Sequence, residues 1–353
     1  MKDENTKLRV YREGRYRTSF NPLRRLFFVS ERIAYFDNSK AILILLVVGG
    51  HLLTPFINDS RFLYSLYHVI FIFHMPAFIF LTGYFTRKAS GTKYFWKIFT
   101  TFLLPYVIFQ VIYSIYYTNL YQKSFAIEFL TPRWAMWFLL CIAAYKLISP
   151  ILLKMKASLL LPLSIGAGLV VGYFDVERFL SLDRLFVFLP FFVLGMVMGC
   201  KKKPIRFPYM KWIAPVVLGG LFLLFYLYKI EGLADLLYGT YVYESNTDLL
   251  IRLTYYIGTA VVMFLFFSMI PEGPIVFTPL GSRTFAIYLF HGFVIKWFLE
   301  QQSSEVIATM WGIPFILIFT LFVSTVFAMP FFSKLLAFDR WLPSPDKLTS
   351  ARR

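Results

Sequence analysis

The chain has 353 residues, 58% of them hydrophobic and 20% aromatic, with a formal net charge of +17. Its mean hydropathy is +0.65, and apolar runs of about 20 residues, enough to cross a bilayer, recur along the whole length. A soluble fold is excluded, and the reading is an all-α, polytopic integral membrane protein. The positive charge does not point to nucleic acid, because it is distributed by side of the membrane and not as a stripe.

Residues 1–36 form an Arg-rich arm containing Arg9, Arg12, Arg15, Arg17, Arg24, Arg25 and Arg32. It lacks the short apolar core and small-residue cleavage site of a signal peptide. The piece Pro22 to Val29 mixes bases with bulky apolar residues, as an interfacial helix does. Ten spans are expected, at 40–57, 62–85, 94–117, 134–153, 158–174, 184–200, 211–230, 249–270, 282–299 and 309–333. With the N-terminus inside, most Lys and Arg fall on inner segments and most Asp and Glu on outer ones. The positive-inside rule then places both termini in the cytoplasm, with the membrane domain over 37–335 and a cytoplasmic tail over 336–353.

The first apolar helix, Asp37 to about Ile57, opens with Asp37 and Lys40 and carries His51 near mid-depth beside Gly49 and Gly50. Eleven residues at about 100° and 1.5 Å each bring Lys40 and His51 to nearly the same face, roughly 16 Å apart. Either this is a functional stripe, or Lys40 marks the inner end and His51 packs in the bundle. Ionisable groups inside a membrane are costly, which favours function.

The second span holds His68 and His74. Pro76 removes a backbone hydrogen bond and kinks the helix just after His74, so His74 is the functional candidate. His68 is read as interfacial or as packing. The next inner loop carries Arg87, Lys88, Lys93 and Lys97, either as a topology signal or as the mouth of a phosphate site shared with Lys40. Pro105 lies in the third span. Trp134 and Trp137 open the fourth, as an interfacial aromatic belt or as the wall of a sugar-binding cleft. Lys146 is within reach of the inner surface by snorkelling and is given no role. The expected outer segment 231–248 mixes acids (Glu231, Asp235, Glu244, Asp248) with Tyr238, Tyr241 and Tyr243, which suits carbohydrate or any solvated loop. Span nine places Tyr288 and His291 one turn apart on one face. The two cysteines, Cys141 and Cys200, read as packing residues.

No Cys/His spacing suggests a metal. There is no Gly-rich phosphate loop and no serine in a nucleophile elbow. What remains is a buried histidine below a ring of cations. That suits a general base acting on a hydroxyl acceptor, with an acyl-CoA donor held by its phosphates at the inner surface. No tightly bound cofactor is expected. The rival reading is a transporter or flippase for envelope glycans, since intramembrane histidines and kinked spans suit a proton-coupled carrier as well.

Several blocks give the chain a family likeness. Lys40 and His51 are separated by ten residues, with an acid, Asp37, three residues before the lysine. Phe78-Ile79-Phe80-Leu81-Thr82-Gly83-Tyr84 closes the second span. Trp137-Phe138-Leu139 and Tyr288-Leu289-Phe290-His291 follow in order. In these the chain resembles the acyltransferase 3 family of integral-membrane acyltransferases, and within it the fucose 4-O-acetylase-like branch. It departs in having lysine where that family more often has arginine, which loses a bidentate fork. Threonine replaces serine before Gly83, and the basic run after the second span is looser than the family's Arg-x-x-Arg.

The resemblance implies O-acylation, usually O-acetylation, of an envelope polysaccharide or lipid-linked sugar outside the plasma membrane, with cytoplasmic acetyl-CoA as cosubstrate. His51 would be the catalytic base or acyl carrier, with Asp37 and His74 beside it. Lys40, Arg87, Lys88 and Lys97 would bind the CoA phosphates. Trp134, Trp137, Tyr288 and His291 would meet the acceptor. Many relatives carry an extracytoplasmic hydrolase-like domain. None is read here, so the protein is expected to act alone or to hand the acyl group to a separate extracytoplasmic partner.

Overall fold

The computed structural model describes residues 31–58, 60–122, 124–176, 178–199, 204–205, 207, 209–301 and 312–342. The basic arm through residue 30, Cys200, the lysine run 201–203 and the last eleven residues of the tail lie outside them. The described residues are helical and contain no strand.

Helix α1 covers Glu31–Leu53 and passes into a 3-10 turn, Thr54–Phe56, where Pro55 ends the α pattern. It starts before the expected arm boundary at residue 36, because Ala34 and Tyr35 are fully buried and tie it to the bundle. His51 therefore sits in the last α turn, not midway along the helix.

The second expected span is two helices, α2 (Arg61–Phe71) and α3 (His74–Tyr84), broken at Ile72 and Phe73. Pro76 has no N–H for the Ile72 carbonyl, so the ladder cannot run through this point. His74 opens α3, and its Nδ1 donates to the Ile70 carbonyl at 2.9 Å. In an unbroken helix that carbonyl would accept the backbone N–H of residue 74. The side chain replaces the backbone donor that the break takes away.

After these come α4 (Thr92–Ile98), a π turn at Phe99–Leu103 and α5 (Leu104–Leu120), with Pro105 in the first turn of α5. Then follow α6 (Trp137–Leu152), α7 (Ala157–Val170), α8 (Leu182–Gly199), α9 (Met210–Leu227), the short α10 (Leu233–Tyr238) and α11 (Asp248–Met269). The chain closes with α12 (Thr278–Gly281), α13 (Thr284–Gln301), α14 (Gly312–Phe327), α15 (Pro330–Leu335) and α16 (Phe338–Trp341).

Among the described residues, 7 helical stretches are long and apolar enough to cross a membrane. The other expected spans fall on the shorter apolar helices Ala157–Tyr173 and Gly312–Phe327 and on α13, whose polar residues include His291, Lys296 and Glu300.

The architecture is held by unusually close helix contacts. α3 and α8 cross where a Cβ at Gly83 would strike the Phe192 carbonyl, and one at Gly195 or Gly199 would strike the carbonyl of Phe80 or Tyr84. Small residues that let backbones approach are the main attraction between helices in lipid, where there is no hydrophobic drive. One apolar core lies around α2, α3, α8 and α11, and a second around α1, α5, α13 and α14. α9 lies on the rim, largely exposed, against α2 and α11.

The bundle has two distinguishable ends. Tyr35 donates to the carbonyls of Ile205 (2.8 Å) and Phe267 (2.9 Å), and Asn38 Nδ2 donates to those of Pro271 (2.9 Å) and Gly273 (2.8 Å). These bonds gather the end of α11 at the start of α1, and the Gly199–Tyr84 contact brings the ends of α3 and α8 together. Arg61 marks the opposite end, where it donates to the carbonyls of Tyr226 and Leu227 at the close of α9.

Candidate functional site

The site begins with the face of α1. Lys40, Ile44, Val47 and His51 follow one another at spacings of four, three and four, which is one stripe of an α-helix. Lys40, Ile44 and Val47 line a cavity of about 300 Å³ open towards the Asp37 end. Val47 and His51 line a smaller space of about 30 Å³ that also touches His74 and Trp137. Val47, Met75 and Tyr288 belong to both, so the two spaces abut along the stripe. Most of the larger cavity is apolar, with Phe78, Leu81, Phe138 and Ile142 among its walls.

Two cations stand at its wide end. Lys40 pairs with Asp37 at 2.6 Å, one turn earlier on the same helix. Gly281 of α12 lies directly on the Asp37 backbone, where any Cβ would collide. Thr278 donates to Asn38 Oδ1 at 2.5 Å, fixing the same turn. The second cation is Lys146. Its Nζ donates to Thr86 Oγ1 at 2.7 Å and to the Thr82 carbonyl at 3.3 Å, and it lines the cavity. Lys146, read as snorkelling to the inner surface, sends its ammonium to Thr82 and Thr86 at the close of α3. Arg87, Lys88 and Lys97 are exposed and do not line the cavity.

At the narrow end the rings converge. His51 lies 4.5 Å from the Trp134 ring and 5.5 Å from that of His291, centroid to centroid, and Trp134 lies 5.0 Å from His291. His51 is half-buried, whereas His74 and His291 are buried. Gly292 makes room for this packing, since a Cβ there would meet the Trp134 ring and the Tyr113 hydroxyl. Tyr113 donates to the Leu289 carbonyl at 3.1 Å, and the Tyr288 hydroxyl donates to the Ala135 carbonyl in a short bond. Trp134 therefore belongs to the histidine cluster, not to a belt facing lipid.

The tautomers follow from the carbonyl partners. His291 Nδ1 donates to the Tyr288 carbonyl at 2.7 Å and to that of Ile287 at 3.1 Å. A ring nitrogen facing a carbonyl must carry the proton, so Nε2 keeps a lone pair. That buried Nε2 has no hydrogen-bond partner among the described residues. His74 is held the same way through Nδ1. Two unprotonated nitrogens thus belong to the immediate surroundings of His51 and can accept hydrogen bonds there. His68 is different. It is buried against Tyr64, Tyr67 and Phe225, with Nδ1 bonded to the Tyr64 carbonyl at 2.7 Å, and it serves packing.

Of the residues singled out in the sequence, the fold brings together His51, His74, Trp134, Trp137, Tyr288 and His291, with Lys40 and Asp37 along the same stripe. Lys146 was visible as a lone cation in an apolar helix, but only the Thr82–Thr86 pair, one turn apart on another segment, reveals where it points. Lys296, whose Nζ stands 5.4 Å from the centre of the Trp134 ring, gave no sequence signal.

A helical membrane bundle with two abutting cavities, one beside a lysine pair and one at a histidine cluster, is the class of protein defined so far. The family model described as an acyltransferase domain matches residues 33–329. The chain belongs to the acyltransferase 3 family and is a multi-pass membrane acyltransferase. No curated protein and no solved structure matches it.

Proposed function

We propose that the protein moves an acetyl group from acetyl-CoA to a hydroxyl of an envelope polysaccharide or lipid-linked sugar at the plasma membrane. The observation that carries the reading is the single stripe from Lys40 through Ile44 and Val47 to His51, lined by two cavities that share Val47, Met75 and Tyr288 as walls. Phosphates bind lysine ammonium groups well, and Lys40 and Lys146 stand at the wide end. The apolar walls suit the pantetheine arm, which has about 16 Å of helix to cover before His51. The positive-inside pattern supports putting that wide end, and both termini, in the cytoplasm.

In the reaction, His51 accepts the proton of the acceptor hydroxyl as its oxygen attacks the thioester carbonyl. The new C–O bond forms, the C–S bond breaks, and the proton passes to the departing thiolate. His74 and His291 hold the ring environment, while Trp134 and Trp137 wall the acceptor side. Asp37 orients Lys40, and Arg87, Lys88 and Lys97 add a diffuse attraction for CoA at the rim. The family match sets aside the carrier reading.

The test is turnover and binding of acetyl-CoA by the purified protein, wild type beside His51→Ala. Binding in both with transfer only in the wild type is expected. Full transfer by His51→Ala would sink the mechanism.

A further inference from the structure

A second cavity, of about 440 Å³, opens at the end of the bundle opposite Lys40. Three stretches far apart in sequence build it. The segment after α7 supplies Asp175 and Arg178, the first turn of α8 supplies Asp183, and α10 with the loop after it supplies Asp235 and Tyr241. Arg252, in the second turn of α11, completes the lining.

Arg252 is only 1% exposed. Its Nη1 donates to the Gly168 carbonyl at 3.2 Å, its Nη2 donates to the Tyr241 carbonyl in a short bond, and its guanidinium stands 4.7 Å from the centre of the Tyr243 ring. Its Nε has no hydrogen-bond partner among the described residues. A buried donor left unpaired is costly, and it marks a polar region beside the basin that the chain itself does not fully satisfy.

We infer that this basin is a binding subsite for a neutral, hydroxyl-rich ligand, a saccharide unit of the acceptor. The inference rests on the acceptor reading above and adds where the acceptor is held. The lining alternates in sign, with three carboxylates and two guanidiniums. An anion would meet Asp175, Asp183 and Asp235, and a cation would meet Arg178 and Arg252. No group of three potential metal ligands converges among the described residues. A sugar ring carries donors and acceptors on neighbouring carbons, so carboxylates can accept hydrogen bonds from its hydroxyls while guanidiniums donate to its oxygens. The Tyr241 ring offers a face for its C–H side. The volume falls within the usual range of small-molecule sites, about 300–1,000 Å³.

The position fits as well. α10 is the partition between this basin and the histidine cluster. Its Asp235 and the following Gly239 face the basin, while its Leu237 and Tyr238 line the space that holds His51. Arg184, next to Asp183, donates through Nε to the Tyr238 carbonyl at 3.2 Å and covers the Trp137 ring at 4.9 Å. A saccharide unit held in the basin would lie directly across α10 from the histidine cluster.

The experiment is saturation-transfer NMR on the full-length protein in detergent, without acyl-CoA. The probes are methyl glycosides of glucose, mannose, fucose and N-acetylglucosamine, with phosphoethanolamine and Ca²⁺ as charged comparators. At least one glycoside should receive saturation from the wild type. Asp235→Asn and Asp183→Asn should each raise its Kd about tenfold, the scale of a hydrogen bond to a charged group. Asn246→Ala, outside the basin, should bind like the wild type. Binding of no glycoside, unchanged binding in both aspartate variants, or binding of the charged comparators alone would overturn the proposal. Glycoside binding does not require His51, so it is also measured in His51→Ala. Bound glycoside without acyl transfer in the wild type would break the acetyl-transfer reading and leave this subsite standing.

Discussion

The two cavities at opposite ends of the bundle are built on opposite principles. The one entered beside Lys40 is walled by Phe78, Leu81, Phe138 and Ile142 and has charge only at its mouth. The one around Arg252 mixes charged groups of both signs with apolar residues such as Val171 and Phe174. An apolar bore admits a chain that must shed its water, whereas a lattice of donors and acceptors rewards a ligand that brings its own hydroxyls. On the proposed reading the apolar cavity suits the donor's arm and the polar one the acceptor's sugar, with His51 in the small space that abuts the first and is parted from the second by α10.

Substitutions can break that contrast in order of size. His51→Ala should lower acetyl transfer about 10²–10⁴-fold, the usual worth of a general base, with acetyl-CoA binding retained in a filter assay. Lys146→Met removes a half-buried cation at the apolar mouth. It should raise the KM for acetyl-CoA about tenfold or more, as loss of a hydrogen bond to a charged group does, and steady-state kinetics at fixed acceptor would show it. Asp183→Asn should act on the other cavity and raise the acceptor KM, by up to about tenfold. A matching rise in the acetyl-CoA KM would show that the two cavities are not separate in function. The exposed Arg87, Lys88 and Lys97 should matter least. Their triple alanine variant should change the acetyl-CoA KM less than about fivefold, because exposed charges are screened, and the effect should fade as salt is raised.

Some of this geometry could be read directly from the residues. The Lys40–His51 stripe needs only the helix repeat, and Pro76 announces a break in the second span, though it falls at Ile72 and Phe73, before His74 and not after it. The all-helical membrane class follows from composition. Other parts depend on what the sequence does not state. His51 lies in a last helical turn because Pro55 stops the α pattern soon after it. Lys146 is held at the close of α3 because Thr82 and Thr86, some sixty residues earlier, present oxygens to it. Trp134 stood open between belt and cleft wall until Gly292 placed it on His291. The polar basin was the least legible of all, since Asp175, Asp235 and Arg252 meet only once α7, α8, α10 and α11 are assembled.

The crossing of α3 and α8 has a consequence for life in a bilayer. With Gly83, Gly195 and Gly199 set against opposing carbonyls, the two helices touch backbone to backbone and leave no side-chain layer to slide on. Membranes differ in thickness by several ångströms, and a protein adapts by tilting or shifting whichever helices are loosely held. The α3–α8 pair cannot adapt in this way, so a thicker or thinner bilayer should be met by other helices and leave His74, carried by α3, in place against α8.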